Sequence, residues 1–256
     1  MFNRIFPAKK VGLVITNKVQ AYESKRGVFL NEDIESIIDI KHNKNLMNIP
    51  DYWLKKSQLE IIYKKVLKEY NSFLIKPQLL LCIPHELTLN DCKQIMLDTT
   101  LSVGFRKTYI VDNLLVAAVG SNLSIEERRK KVLLYYQDEK IYLALFYAGS
   151  VIDVMLIQKK LSDLTQEDII LRIEEIQNNL PSDVSKYFLK IKDKLTQTDL
   201  VNDWNTNEIN NIYLSLPKEY MYNYSNYIGK YQVTKLEYED CLIKGVESLF
   251  GEIDKL

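Results

Sequence analysis

Twice along this chain, short apolar segments spaced as hairpin strands are followed by helix-length amphipathic stretches and a further strand. That repeated order restricts the fold more than any single residue does. In the first half, Val11-Gly-Leu-Val-Ile-Thr16 reads as a buried strand, with partners at Lys18 to Tyr22 and Val28 to Leu30 and Gly27 in the turn between them. The spacing predicts a helix over Tyr52 to Tyr70, where Leu54, Leu59, Ile62, Val66 and Leu67 form an apolar stripe. Gln78 to Ile83 is a continuous apolar run halted by Pro84, the pattern of a strand buried on both faces. Thr88 followed by Asp91 is a capping-box start for a helix ending near Gly104. Lys107 to Val111 reads as another strand, and Leu114 to Val119 as an apolar helix closed by Gly120.

The second half repeats the theme. Val132 to Tyr136, Ile141 to Tyr147 and Val151 to Ile157 read as a three-strand meander, with turns at Gln137 to Lys140 and at Gly149-Ser150. Helices over Thr165 to Asn179 and Ser182 to Leu195 come next, then a polar loop over Asn202 to Asn211, a strand over Ile212 to Leu216, a tyrosine-rich stretch, and a helix over Glu237 to Phe250. The charge run Glu126 to Lys131 reads as a solvated loop, with a lipid or acidic-partner contact as the alternative. The expected organisation is α/β, two similar halves that are each a mixed sheet with helices.

Composition narrows the function classes. With 256 residues the chain can bury about three quarters of the surface its unfolded form exposes, without disulfide or metal. Lys+Arg and Asp+Glu are both 34, so no whole-protein positive field marks a nucleic-acid partner. Three cysteines without a CxxC fit free thiols in a reducing cytoplasm. No 18-residue apolar run is present, so no membrane span is expected. Phe2, Ile5 and Phe6 beside Arg4, Lys9 and Lys10 suit either a weak peripheral contact with anionic lipid or packing on the first strand. Cys82 next to His85 could suggest a nucleophile, but Cys82 lies inside an apolar run and reads as an inert core thiol, and His85 reads as a solvated turn residue. No spacing of His, Cys and Asp suggests a metal site. Tyr213, Tyr220, Tyr222, Tyr224, Tyr227 and Tyr231 crowd one region and suit core packing, a partner surface or a ligand contact.

Several stretches taken in order resemble the bacterial actin MreB and, more widely, the actin-like ATPase fold. Val11-Gly-Leu-Val-Ile-Thr16 with Lys25-Arg-Gly-Val-Phe-Leu-Asn-Glu32 looks like the family's first hairpin. Lys76 to Pro84 with Thr88 to Gly104 looks like its next strand and helix. Tyr109-Ile-Val-Asp-Asn-Leu-Leu-Val-Ala-Ala-Val-Gly120 looks like the family's Ile-Glu-Glu-Pro-Met-Ala-Ala-Ala-Ile-Gly helix, Val132 to Ile152 like its second hairpin, and Asn211 to Phe250 like its closing strand and helices. The resemblance implies a two-lobed, ribonuclease-H-like duplicated fold with actin-like lobes at 1–120 and 121–256 and the last helix a candidate to return to the first lobe, here with reduced small subdomains, because the segments Asn31 to Tyr52 and Ile157 to Ile212 are short.

The departures set the functional expectation. The family grips ATP with glycine-rich turns. At the first turn, Val14 stands where the family has a carboxylate and Thr16 where it has glycine, followed by Asn17. At the second turn the run is Tyr135-Tyr-Gln-Asp-Glu-Lys140, with Gln137, Asp138 and Glu139 in place of glycines. A third Gly-Gly-Gly becomes Leu216-Pro217-Lys218. Asp112 alone keeps an acid near the family's water-activating position. The resemblance with these losses implies no cofactor and no catalysis. It implies a cytoplasmic scaffold or adaptor, with a contact at the inner membrane face through Phe2, Ile5 and Phe6 as an option, binding a cytoskeletal, envelope or secretion protein through tyrosines such as Tyr220, Tyr222, Tyr224 and Tyr227, without ordinary self-polymerisation. A divergent actin-like ATPase using Asp112, and a subunit that copolymerises with or caps MreB filaments, are the alternatives.

Overall fold

The computed structural model describes residues 9–38, 56–70, 76–181, 184 and 197–253. The chain divides into two compact units, Met1–Val116 with Leu242–Leu256, and Ala117–Cys241.

The first unit is built on five strands: β1 (Lys10–Ile15), β2 (Lys18–Glu23), β3 (Gly27–Asp33), β4 (Gln78–Ile83) and β5 (Lys107–Asp112), ordered β3-β2-β1-β4-β5. β1, β2 and β3 form an antiparallel meander, whereas β4 and β5 run parallel to β1. Side chains alternate across the strands. Val11, Leu13, Leu79 and Leu81 join one core with Leu59, Ile62, Tyr63 and Val66 of the helix α2 (Lys56–Tyr70). Each such side chain contributes about 1.5–3 kcal/mol by leaving water. The short helix α1 (Ile34–Ile37) follows β3. The other face is covered by α8 (Cys241–Ile253), whose Phe250 stacks on Tyr22 at 5.7 Å. Helix α3 (Leu89–Leu97) starts at the Thr88–Asp91 capping box and continues as a π-helical stretch, Asp98–Val103, that stops at left-handed Gly104. Helix α4 (Asn113–Gly120) spans the division between the units.

The second unit repeats the plan. Its strands are β6 (Lys131–Gln137), β7 (Lys140–Tyr147), β8 (Ser150–Ile157), β9 (Asn211–Ser215), β10 (Tyr227–Ile228) and β11 (Tyr231–Lys235). β6, β7 and β8 are an antiparallel meander; β9 runs parallel to β6, and β11 parallel to β9. The sheet order β10-β11-β9-β6-β7-β8 thus repeats that of the first unit with one added edge strand. Helix α5 (Gln166–Asn178) opens on a Thr165–Asp168 capping box and buries Ile169, Ile173 and Ile176. Lys159 and the Thr165 backbone hold the Asp168 carboxyl down at about 2.

Four expectations need correction. The polar stretch expected as a loop over Asn202–Asn211 is helical as far as Thr206, in α6 (Gln197–Thr206). The tyrosine-rich stretch holds the one-turn α7 (Lys218–Met221), the edge strand β10 and its inner neighbour β11. The last helix begins at Cys241 rather than near Glu237, after Asp240 takes a positive φ of 59°. The charge run is not a wholly solvated loop: Lys130 and Lys131 are buried, and the Lys131 ammonium donates to the Ser124 carbonyl at 2.6 Å and pairs with Glu127 at 3.0 Å. The helix expected over Ser182–Leu195 lies outside the described residues.

Candidate functional site

In the first unit, β1, β4 and β5 end at one edge, because Leu13 sits beside Leu81, Leu81 beside Ile110 and Ile83 beside Asp112. The carboxyl ends of parallel strands are where open α/β sheets place ligands. The turn after β1 is closed by its own groups. The Thr16 amide donates to the Lys18 carbonyl at 2.8 Å, and the Lys18 amide donates to Thr16 Oγ1 at 3.2 Å. Both donors are spent inside the turn, and Val14 is wholly buried. Asn17 offers its carbonyl to the Ile34 amide at 3.0 Å.

Strand register brings two residues 27 apart together: His85 Nδ1 lies 2.5 Å from Asp112 Oδ2. Asp112 Oδ1 also accepts from the Leu114 amide at 2.7 Å and so caps α4. An ionised carboxylate accepts, so in this contact Nδ1 is the donor. His85 is exposed in a turn, as the sequence suggests, and is in addition oriented by Asp112. Next to the pair, Asn113 is 3% exposed, and its Oδ1 has no hydrogen-bond partner among the described residues. Cys82 is fully buried and its thiol is pushed far up by desolvation, which suits an inert core residue.

In the second unit, β6 and β9 are parallel neighbours, with Tyr135 beside Ser215, so the two remaining turns also lie at one sheet edge. Gln137 pairs with Lys140, leaving Asp138 and Glu139 as a two-residue turn with φ of 49° and 64°. Positive φ at both centres is the I′ hairpin form, which favours glycine at the second. The backbone thus keeps a path suited to glycine, while its tip presents two exposed carboxylates. Glu139→Gly is expected to stabilise the protein by about 0.5–1 kcal/mol by relieving the left-handed conformation; a rise in thermal midpoint checks this, and a fall would contradict the turn assignment. In the third turn Leu216 is buried, and Pro217, which has no N–H, is the cap of α7 and accepts from the Tyr220 amide at 3.0 Å and the Met221 amide at 3.1 Å. Lys218 pairs with Glu239 at 3.3 Å. Behind these turns the Tyr135 hydroxyl is pushed well up by burial, 3.8 Å from Cys241 Sγ.

The tyrosines divide. Tyr222 is 81% exposed and Tyr227 is also exposed, whereas Tyr220 packs partly against the core. Tyr224 does not belong to a surface: it is 4% exposed and its hydroxyl donates to the Leu164 carbonyl at 3.4 Å. Tyr231 is buried with its hydroxyl donating to Gln177 Oε1 at 3.2 Å. Phe2, Ile5 and Phe6 lie outside the described residues. A pocket of about 480 Å³ between α2 and the start of α3, lined by Leu59, Tyr63, Leu87 and Ile95 with Glu86 and Asp98, has no counterpart in the sequence reading. Its walls come from separate elements, and only the Thr88–Asp91 box marks one of them.

Comparison with known proteins places these observations. Residues 47–158 match the family model described as MreB/Mbl protein. No curated protein matches the chain. Among solved structures, MreB5 of Spiroplasma citri bound to ADP superposes with a TM-score of 0.63 at 13% identity, covering 97% of this chain and 98% of that one. MreB5 of Spiroplasma citri bound to AMPPNP gives 0.62 at 14% identity, covering 98% of each. The likeness in structure carries the fold, with its duplicated sheets.

Proposed function

We propose that this chain, an MreB-like protein of the actin-like superfamily, is a non-catalytic scaffold or adaptor that binds a protein partner instead of cycling a nucleotide. The observation that carries this reading is the state of its three turns. A triphosphate is held by backbone N–H groups that have no other partner, in turns where glycine lets the backbone come close. Here the Thr16 and Lys18 amides are committed within the first turn. The second turn carries Asp138 and Glu139 at its tip, two exposed carboxylates that would repel a triphosphate. The third has lost a donor at Pro217. Exposed Tyr222 and Tyr227 supply the rigid, amphipathic area that protein interfaces favour.

Isothermal titration of the full chain with ATP and magnesium, beside an active MreB as positive control, tests this. No saturable heat is expected; micromolar binding with turnover would end the reading.

The His85–Asp112 pair favours a second reading, a divergent nucleotide hydrolase with Asp112 as its surviving acid, oriented by His85. Asp112→Asn keeps an acceptor for the Leu114 amide and removes the charge behind the ring. The hydrolase reading requires phosphate release by the native chain and its loss in this variant. The scaffold reading requires no release by either.

A further inference from the structure

The second unit carries a polar pocket at the end of its sheet opposite the turns, beside the start of β6 and of β9. Its volume is about 560 Å³, within the range of small-ligand sites. Lys130, Lys230, Gln177, Asn205 and Asn210 line it, with Glu208 as its carboxylate.

Lys130 is the unusual member. It is 8% exposed, and its ammonium stands 4.2 Å from the centroid of the Trp204 ring. Among the described residues it has no carboxylate within ion-pair distance, and Glu208, which acts on it electrostatically, is exposed. Burial holds this lysine below its usual range, with Glu208 opposing. The Trp204 face stabilises this partly desolvated cation without neutralising its charge, so an anion entering the pocket still meets a full positive charge there. Among the described residues, two ammonium groups against one carboxylate give the pocket a positive balance. Gln177 accepts from Tyr231 through Oε1, which leaves its amide N–H groups for another partner. Amides can meet hydroxyl groups as donor and as acceptor, and lysines are point charges suited to phosphate.

We propose that this pocket binds a small phosphate-bearing polyol, a sugar phosphate in class, with the phosphate on Lys130 and Lys230 and the hydroxyls on the Gln177, Asn205 and Asn210 amides. This site is independent of the scaffold reading, since it shares no residue with the three turns.

Calorimetric titration of the full chain with glucose 6-phosphate, ribose 5-phosphate and glycerol 3-phosphate tests it, with glucose and inorganic phosphate as partial ligands. At least one sugar phosphate is expected to bind saturably, at least about ten-fold more tightly than either partial ligand, and to weaken as salt rises. Lys130→Met keeps an unbranched side chain against Trp204 and is expected to weaken that binding about ten-fold or more. Should that variant fold poorly, Lys230→Met at the rim is expected to weaken it about three-fold. No saturable binding by any of the three, or unchanged affinity in the folded variants, overturns the proposal. Flotation with phosphatidylglycerol vesicles separates the sources: vesicle binding that depends on Lys130, without binding of the soluble compounds, would assign the pocket to a lipid headgroup and overturn it too.

Discussion

Replacing Trp204 with alanine is expected to lower the stability of the second unit by about 4 kcal/mol, the usual scale for losing a buried aromatic. Trp204 is 1% exposed, and its ring stands edge-on to Tyr147 at 5.1 Å. Its indole N–H donates to the Pro181 carbonyl at 2.9 Å. Alanine would leave that carbonyl without its donor, open a cavity beside Tyr147, and strip the ring from Lys130. Trp204→Phe retains much of the packing and loses the hydrogen bond, so a smaller loss of about 1–2 kcal/mol is expected. Urea unfolding followed by circular dichroism measures both. A Trp204→Ala midpoint close to that of the native chain would mean that α6 is not anchored as described.

Gly245→Ala is expected to cost about 2–3 kcal/mol, against the usual sign for glycine in a helix. Alanine normally gains about 1 kcal/mol there. At Gly245, however, an added Cβ would stand 2.0 Å from the Val116 carbonyl oxygen and 2.8 Å from its Cγ1. The oxygen belongs to the backbone of α4, so the helices must move apart, and overpacking of this kind outweighs the propensity gain. Gly12→Ala is the informative contrast, because its Cβ would meet the Val246 side chain, at 2.0 Å from Cγ1. A side chain can rotate, so the loss at Gly12 should be the smaller one. If Gly245→Ala raised the unfolding midpoint, the close approach of α8 to α4 would be wrong.

The strands were legible because burial writes itself into composition. Gln78 to Ile83 and Val132 to Tyr136 are apolar on both faces and could hardly be anything else. α6 was not legible: its asparagines, aspartates and threonines have poor helix propensity, and what holds it is Trp204 in the core of the unit. β11 escaped notice because it pairs in parallel with β9, and neither edge announces the other locally. In the site, the three altered turns could be placed by resemblance to the MreB family. The His85–Asp112 contact could not, since it depends on Ile83 lying level with Asp112. Lys130 was hidden in plain view: six consecutive charges suggest solvent, and nothing in the run says that its fifth member turns inward under a tryptophan.

The first unit is discontinuous, since helix α8 covers one face of a sheet begun at Lys10. Translation therefore imposes an order. The face of β1 at Gly12 stays uncovered until the ribosome has made residues 117–241, a delay on the order of ten seconds at typical elongation rates. The second unit can close on itself in that interval, while the nascent amino-terminal sheet waits with an apolar flank exposed.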